Sequence, residues 1–282
     1  MKVLILGSTG LLGNTLKIFL KEKKVNLYFI SRERKKKKKI YLKDFKNFKK
    51  LKELIIDLKP QYIVNCLGIT HYHHLYKDKK ETKIINSLLP VFLSRLCLKN
   101  KIFLVHISTD CVYSGKSGNY SEKSKKRPHN LYGITKSLGE VKNNYTTTIR
   151  TSFIGPEKNK SKQLLNWFLK QNYKIKGYNN AFFSGLTSLE LSNIIYYYFL
   201  KKNIFYNKIL NIGGKKISKY KLLFLVSKIF KKKIKIIKYS SFKIDRSLNS
   251  NKFLKISNYK VKSWIIMLKQ LKKFMILNNF KF

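Results

Sequence analysis

Apolar residues fall into two alternating rhythms along this chain. Short continuous runs occur at KVLIL (2–6), VNLYFIS (25–31), YIVNCLG (62–68) and IFLVHIS (102–108). Each has the length and β-branched content of a buried strand. Between them stand stretches whose apolar positions recur at helical spacing. These are NTLKIFLKEKK, DFKNFKKLKELIIDLKP with Pro60 as its stop, INSLLPVFLSRLCLKN, and residues 131–143. TTTIRTSFIG reads as one further strand. Strands that are apolar throughout need cover on both faces. Their alternation with helices predicts an α/β chain with a Rossmann-like, doubly wound parallel sheet. No internal repeat is visible.

After Gly155-Pro156 the pattern loosens. Helices are predicted near 161–171, 188–201 and 218–231, the last two capped by Ser188 and Ser218. Short strands are predicted near 208–212 and 233–238. The expected division is a dinucleotide-binding domain over 1–155 and a smaller α+β substrate lobe over 156–282. Part of that lobe, near 208–214, is expected to return to the main sheet. Trp264 and Met267 are expected to pack the last helix.

Composition changes this picture little. The 282 residues are 44% hydrophobic, ample for a large core. The net charge of +49 invites a nucleic acid or an anionic membrane as partner. Only six of the 62 basic residues are Arg, however, and phosphate and base-edge recognition favours Arg forks. Lys, Ile, Asn, Tyr and Phe are raised together, as a bias spread over the surface. Neither a specific nucleic-acid partner nor a membrane is expected. KKKKK at 35–39 reads as a solvated loop, and the charge also favours approach of an anionic substrate. Cys66, Cys97 and Cys111 form no CxxC pair, which suits a reducing cytoplasm. No apolar run reaches transmembrane length, and the N-terminus lacks a small-residue cleavage site. His71, His73 and His74 lack a second His or Cys pair at ligand spacing, so no metal is expected.

Three motifs carry candidate chemistry. Gly7-Ser-Thr9-Gly10-Leu11-Leu12-Gly13 follows the first strand and opens a helix. Glycines there allow a tight turn and let the backbone approach a pyrophosphate at the helix N-terminus. The spacing is GxxGxxG rather than GxGxxG. At the end of the second strand, Ser31-Arg32 stands where NAD sites place an acid; an Arg suits a 2′-phosphate, although Glu33 lies beside it. ISTDCVYSG (107–115) is followed by Tyr132-Gly-Ile-Thr-Lys136. The lysine lies one helical turn after the tyrosine on the same face. Its ammonium is expected to lower the Tyr132 pKa, so that Tyr132 exchanges a proton with a carbonyl oxygen held also by Thr109.

In this order the motifs resemble the extended short-chain dehydrogenase/reductases, and most closely their dTDP-4-dehydrorhamnose reductase group. The likeness continues through RTSFIGPE, NWFLKQ, SGLTSLELSNII, ISKYKLL and IDRSLNS, nearly the whole chain. It implies Tyr132 as general acid, Lys136 as its tuner and ribose contact, and Thr109 as holder of the keto oxygen. It implies that Asn65, Cys66, Leu67 and Gly68 pass beneath the cofactor, NADPH. The substrate implied is a nucleotide-diphosphate 4-keto-6-deoxy sugar for surface polysaccharide, reached by Cys111, Phe153 and Arg246. Rhamnose-forming reductases commonly have Tyr at the position of Cys111 and Trp at that of Phe153. The acid often found at the end of strand three is replaced near Tyr41. The Asp-Glu that the superfamily's dehydratases use for water loss is Asp110-Cys111 here. An epimerase, and a non-catalytic NADP-binding regulatory subunit, are the alternatives. A homodimer is left open.

Overall fold

The computed structural model describes residues 1–31, 39–41, 44–70, 76, 78–157, 163–204 and 207–280. Arg32 to Arg34 and His71 to His74 lie outside them, so the readings placed on those residues do too. The chain opens with β1 (Lys2–Leu6), α1 (Leu11–Lys21), β2 (Asn26–Ser31), β3 (Lys39–Tyr41), α2 (Phe48–Leu58) and β4 (Tyr62–Asn65). Next come α3 (Lys79–Lys83), a π-helical turn (Ile84–Leu88), α4 (Leu89–Lys99), β5 (Phe103–Ile107), a 3₁₀ turn (Asp110–Val112), α5 (Leu131–Leu138) and β6 (Thr146–Arg150). The remainder runs β7 (Phe153–Ile154), α6 (Leu164–Leu169), β8 (Lys174–Tyr178), β9 (Ala181–Phe183), β10 (Leu186–Thr187) and α7 (Ser188–Ile194). A π-helical segment (Ile195–Lys201) leads to β11 (Ile209–Asn211), β12 (Ile217–Ser218), α8 (Lys219–Phe230), β13 (Lys235–Tyr239), β14 (Ile244–Asp245), α9 (Asn251–Ser257) and α10 (Trp264–Leu277).

Seven strands form one sheet in the order β11-β6-β5-β4-β1-β2-β3, every neighbouring pair parallel. The chain winds outward from β1 to β3 on one side and from β4 to β6 on the other. The reversal between β1 and β4 leaves a crevice at their C-terminal ends, where ligands of open α/β sheets bind.

Alternation along β1 explains the cover on both faces. Val3 and Ile5 point into one core with Leu12, Leu16 and Leu20 of α1. Leu4 and Leu6 point into the other with Leu51 and Ile55 of α2 and Leu89 and Leu93 of α4. The first core runs on into the C-terminal half through Leu191 and Ile194 of α7, Leu222 and Val226 of α8, and Met267, Leu268 and Leu271 of α10. Trp264 and Met267 are buried in it, as their pattern predicts, and the Trp264 indole donates to the Lys215 carbonyl at 2.8 Å.

Four local expectations are corrected. TTTIRTSFIG is two strands, not one. The Thr151 and Ser152 carbonyls accept from the Asp110 and Leu186 N–H groups, which turns β7 off the main sheet onto β10. Lys39 is not loop but opens β3, whose backbone pairs with β2. The cap of α7 is Thr187, which accepts from the Glu190 N–H at 3.2 Å, because Ser188 is buried against the Thr15 hydroxyl at 3.0 Å. The strand expected near 233–238 runs over 235–239 and pairs with β8, a strand its own pattern did not announce. Ser218 does cap α8, accepting from the Lys221 N–H at 3.2 Å. Strand β11 lies against β6 in the main sheet.

Candidate active site

The glycine loop leaves β1 with Gly7 at φ +82°, a left-handed conformation that glycine adopts without strain. A Cβ there would also come within 2.9 Å of the Leu67 amide nitrogen. At Gly13 a Cβ would strike the Gly7 carbonyl oxygen, so this glycine lets α1 close onto the end of β1. The loop tightens through the Gly10 N–H, which donates to the Gly7 carbonyl at 3.1 Å. Thr9 and Gly10 are exposed at the mouth of the crevice. In the first turn of α1, Leu11, Leu12 and Gly13 present N–H groups that a helix cannot pair internally. The Leu12 side chain lies in the core, so only its backbone faces the crevice. Ser31 ends β2.

Beside the loop, Asn65 closes β4. Its Oδ1 accepts from the Leu67 N–H at 3.1 Å and shapes the Cys66-Leu67-Gly68 turn. Burial pushes the Cys66 thiol up to about 12, against the opposing charge of Lys136. Asn86, on the π-helical turn, clamps the next residues. Its amide accepts from the Ile69 N–H at 2.8 Å and donates to the Ile69 carbonyl and the Thr135 hydroxyl, both at 3.0 Å.

Helix α5 is capped by Asn130, which accepts from the Gly133 N–H at 2.8 Å. Gly133, lying between Tyr132 and Lys136, has a packing cause. A Cβ there would hit the Cys111 carbonyl, so its absence lets α5 rest on the 3₁₀ turn that follows β5. That contact brings the Thr109 side chain beside Tyr132, close enough to act on its phenol. Thr109 Oγ1 also accepts from the Cys111 N–H at 3.1 Å and donates to Asp110 Oδ1 at 3.2 Å.

The lysine behaves differently from its expectation. Lys136 is 2% exposed, and its Nζ donates to the Ile107 carbonyl at 2.6 Å and lies 3.5 Å from His106 Nε2. Burial pulls it down to about 8, although Glu140 and Cys66 favour its charged form. The Tyr132 phenol is pushed above its ordinary value rather than lowered. Burial is the main cause and the charges of Cys111 and Asp110 add to it, while the neighbouring Thr109 hydroxyl opposes them.

On the C-terminal side, Arg246 follows β14 and its Nη1 lies 3.5 Å from Cys111 Sγ. Its Nε is buried without a hydrogen-bond partner among the described residues. Asp110 is buried, which raises its carboxyl, while Arg246 and Lys219 pull it back. Lys219, the first residue of α8, sits 3.8 Å over the Phe183 ring and is lowered by burial. Sequence patterns missed it, since one lysine among 62 basic residues carries no signal. Phe153 is half-buried against the first core. The structure thus brings Thr109, Cys111, Tyr132 and Arg246 into one cluster.

A parallel sheet wound outward from β1 and β4, a glycine turn after β1 and a Tyr–Lys helix beyond β5 define an extended short-chain dehydrogenase/reductase. More narrowly, residues 1–175 match the model of the RmlD substrate binding domain, and the chain belongs to that family. Methionine adenosyltransferase 2 subunit beta of Xenopus tropicalis is 30% identical over 139 residues, 49% of this chain and 41% of that one. The dTDP-4-keto-6-deoxy-D-glucose reductase of Streptomyces niveus is 35% identical over 83 residues, 29% of each. The chain spans less than half the length of these curated relatives. Among solved structures, dTDP-4-dehydrorhamnose reductase of Bacillus anthracis in complex with NADP is similar with TM-score 0.81 at 18% identity. That match covers 96% of this chain and 98% of the other. A hypothetical dTDP-4-dehydrorhamnose reductase from Sulfolobus tokodaii has TM-score 0.77 at 25% identity, covering 93% and 97%.

Proposed function

We propose that this protein is an NADPH-dependent reductase of a nucleotide-linked 4-keto-6-deoxy sugar, acting in deoxysugar and surface-polysaccharide biosynthesis. The observation that carries this is the seating of α5 on the turn after β5, which sets Tyr132 beside Thr109 one helical turn before the buried Lys136. The glycine loop fits a dinucleotide. Gly7 and Gly13 leave no room for a Cβ, and the first turn of α1 opens toward the crevice beside exposed Thr9 and Gly10. Gly7, Thr9, Gly10, Leu11, Leu12 and Gly13 would hold the pyrophosphate. Ser31 and Arg32 would meet the adenosine ribose, and Asn65 to Gly68 would pass under the nicotinamide.

A nicotinamide bound there supplies the hydride. This chain's residues do the rest. Thr109 fixes the keto oxygen. Tyr132, kept protonated at neutral pH by its raised pKa, donates its proton to that oxygen. Lys136 lies one helical turn beyond it and would contact the ribose. Cys111, Phe153 and Arg246 would meet the sugar nucleotide, with Arg246 on a phosphate. Residues 1–155 would take the dinucleotide and 156–282 the substrate. No helix among the described residues is long and apolar enough to cross a membrane. Three free thiols suit a reducing cytoplasm.

Replacing Tyr132 with Phe should lower NADPH oxidation with a dTDP-4-keto-6-deoxy sugar by at least about a hundredfold. NADPH binding should stay unchanged. Unaltered turnover would refute the assignment of the proton donor. A second reading has its own support, the likeness to the methionine adenosyltransferase beta subunits. It predicts tight NADPH binding, no turnover across a keto-sugar panel, and co-purification with a partner enzyme.

A further inference from the structure

His106 takes no part in the chemistry above, yet it lies fully buried on β5 beside the catalytic cluster. One ring nitrogen, Nδ1, lies 3.2 Å from Asn65 Nδ2, and the other, Nε2, lies 3.5 Å from Lys136 Nζ. The Asn65 amide cannot turn over freely, because its Oδ1 accepts from the Leu67 N–H. Its Nδ2 therefore faces the imidazole, and an amide nitrogen only donates. So His106 Nδ1 is an acceptor. Burial, aided by the charge of Lys136, holds the ring well below its ordinary value, so it is neutral. A neutral imidazole whose Nδ1 accepts carries its proton on Nε2. That N–H points at Lys136.

An ammonium at Lys136 would set donor against donor. A neutral amine takes the N–H with its lone pair and still donates to the Ile107 carbonyl. We propose that His106 is a positioning residue whose Nε2–H, oriented through Asn65 by the Leu67 amide, holds Lys136 toward its neutral form. This rests on reading Lys136 as the lysine of the catalytic set. The other titratable groups whose charge acts on Lys136, among the described residues, are Glu140 just beyond α5 and Cys66 just after β4, and both favour the ammonium. His106 opposes them from β5. The Leu67 amide belongs to the turn assigned beneath the nicotinamide, so the same chain of bonds ties that turn to the charge of Lys136.

Two measurements test this without substrate or turnover, so failure here is separate from failure of the proposed activity. Long-range proton–nitrogen correlation spectra of histidine-labelled protein read the tautomer of His106, assigned through its own backbone. The expected ring is neutral with its proton on Nε2 between about pH 6 and pH 9. A proton on Nδ1, or an imidazolium, overturns the proposal. The second measurement follows the Lys136 side-chain carbon signal, assigned with Lys136→Arg, in wild type and His106→Gln. The glutamine can turn its oxygen toward Nζ, so the Lys136 titration should move up by about one pH unit. A titration that stays in place or falls overturns the proposal. If His106→Gln does not fold, the wild-type tautomer still decides.

Discussion

Lys136 and Glu140 stand four residues apart at the same end of α5, and both ionisable side chains are withdrawn from water. Their surroundings treat them in opposite ways. Glu140 is completed. Its carboxylate accepts from Ser108 Oγ at 3.0 Å, from Arg150 Nε and Nη2 at 2.7 and 2.8 Å, and from Lys126 Nζ at 3.0 Å. Burial pushes this carboxyl up, but the Arg150 fork and Lys126 outweigh it and hold Glu140 below its ordinary value. For an acid, that direction means the charged form is favoured. Among the described residues, Lys136 has one carbonyl acceptor and a ring that faces it with an N–H, and burial pulls it down to about 8. For a base, the same direction means the charged form is disfavoured. A buried ion that is fully bonded serves the fold. One left short of partners keeps a proton that can move.

The contrast can be broken most forcefully at the acid. Glu140→Ala leaves the Arg150 guanidinium buried and unpaired, and should cost about 3–5 kcal/mol in denaturant unfolding. The sign with pH is fixed. Glu140 contributes above the ordinary carboxylate range, and its contribution fades as pH falls through its lowered value. The gap between wild type and variant should therefore narrow in acid.

Lys136→Met should go the other way, raising stability by about 2 kcal/mol near neutral pH while abolishing turnover. The penalty of burying the lysine is full below about pH 8, where both states are charged, and is relieved as pH rises toward 10.5. The gain should shrink over that window. Thermal melts at several pH values read both effects, and a gain that grew with pH would show Lys136 to be a satisfied ion after all. Arg246→Met is the mildest test. Among the described residues its Nη1 reaches a thiol sulfur and its Nε has no hydrogen-bond partner, so stability should change by less than about 1 kcal/mol. Affinity for a nucleoside diphosphate should fall by about tenfold or more in calorimetry.

Legibility followed the range of the interactions involved. The strands KVLIL, YIVNCLG and IFLVHIS were visible because both faces of each are buried, which forces continuous apolar runs. The Gly7 to Gly13 loop was visible because close backbone approach demands glycine at fixed spacing. Lys39 was hidden because a three-residue edge strand needs no apolar run, and β8 because its own apolar residues gave no signal that β13 would pair with it. Lys219 and the Arg246–Cys111 contact were hidden because they join residues about a hundred positions apart, or more, by charge rather than by period.

The sequence by itself determined the alternating α/β order, the glycine turn after the first strand, and the Tyr132–Lys136 spacing on one helical face. These depend on local geometry, on the periods of 2 and 3.6 residues and on the steric freedom of glycine. Only the tertiary structure decided which charges those residues carry. It seated α5 on the Cys111 carbonyl through Gly133, raised Tyr132 instead of lowering it, and set Lys136 against His106 while completing Glu140 with Arg150. Proton affinity depends on which groups crowd a side chain once water is gone, and those groups come from β4, β5, β6 and α5 together.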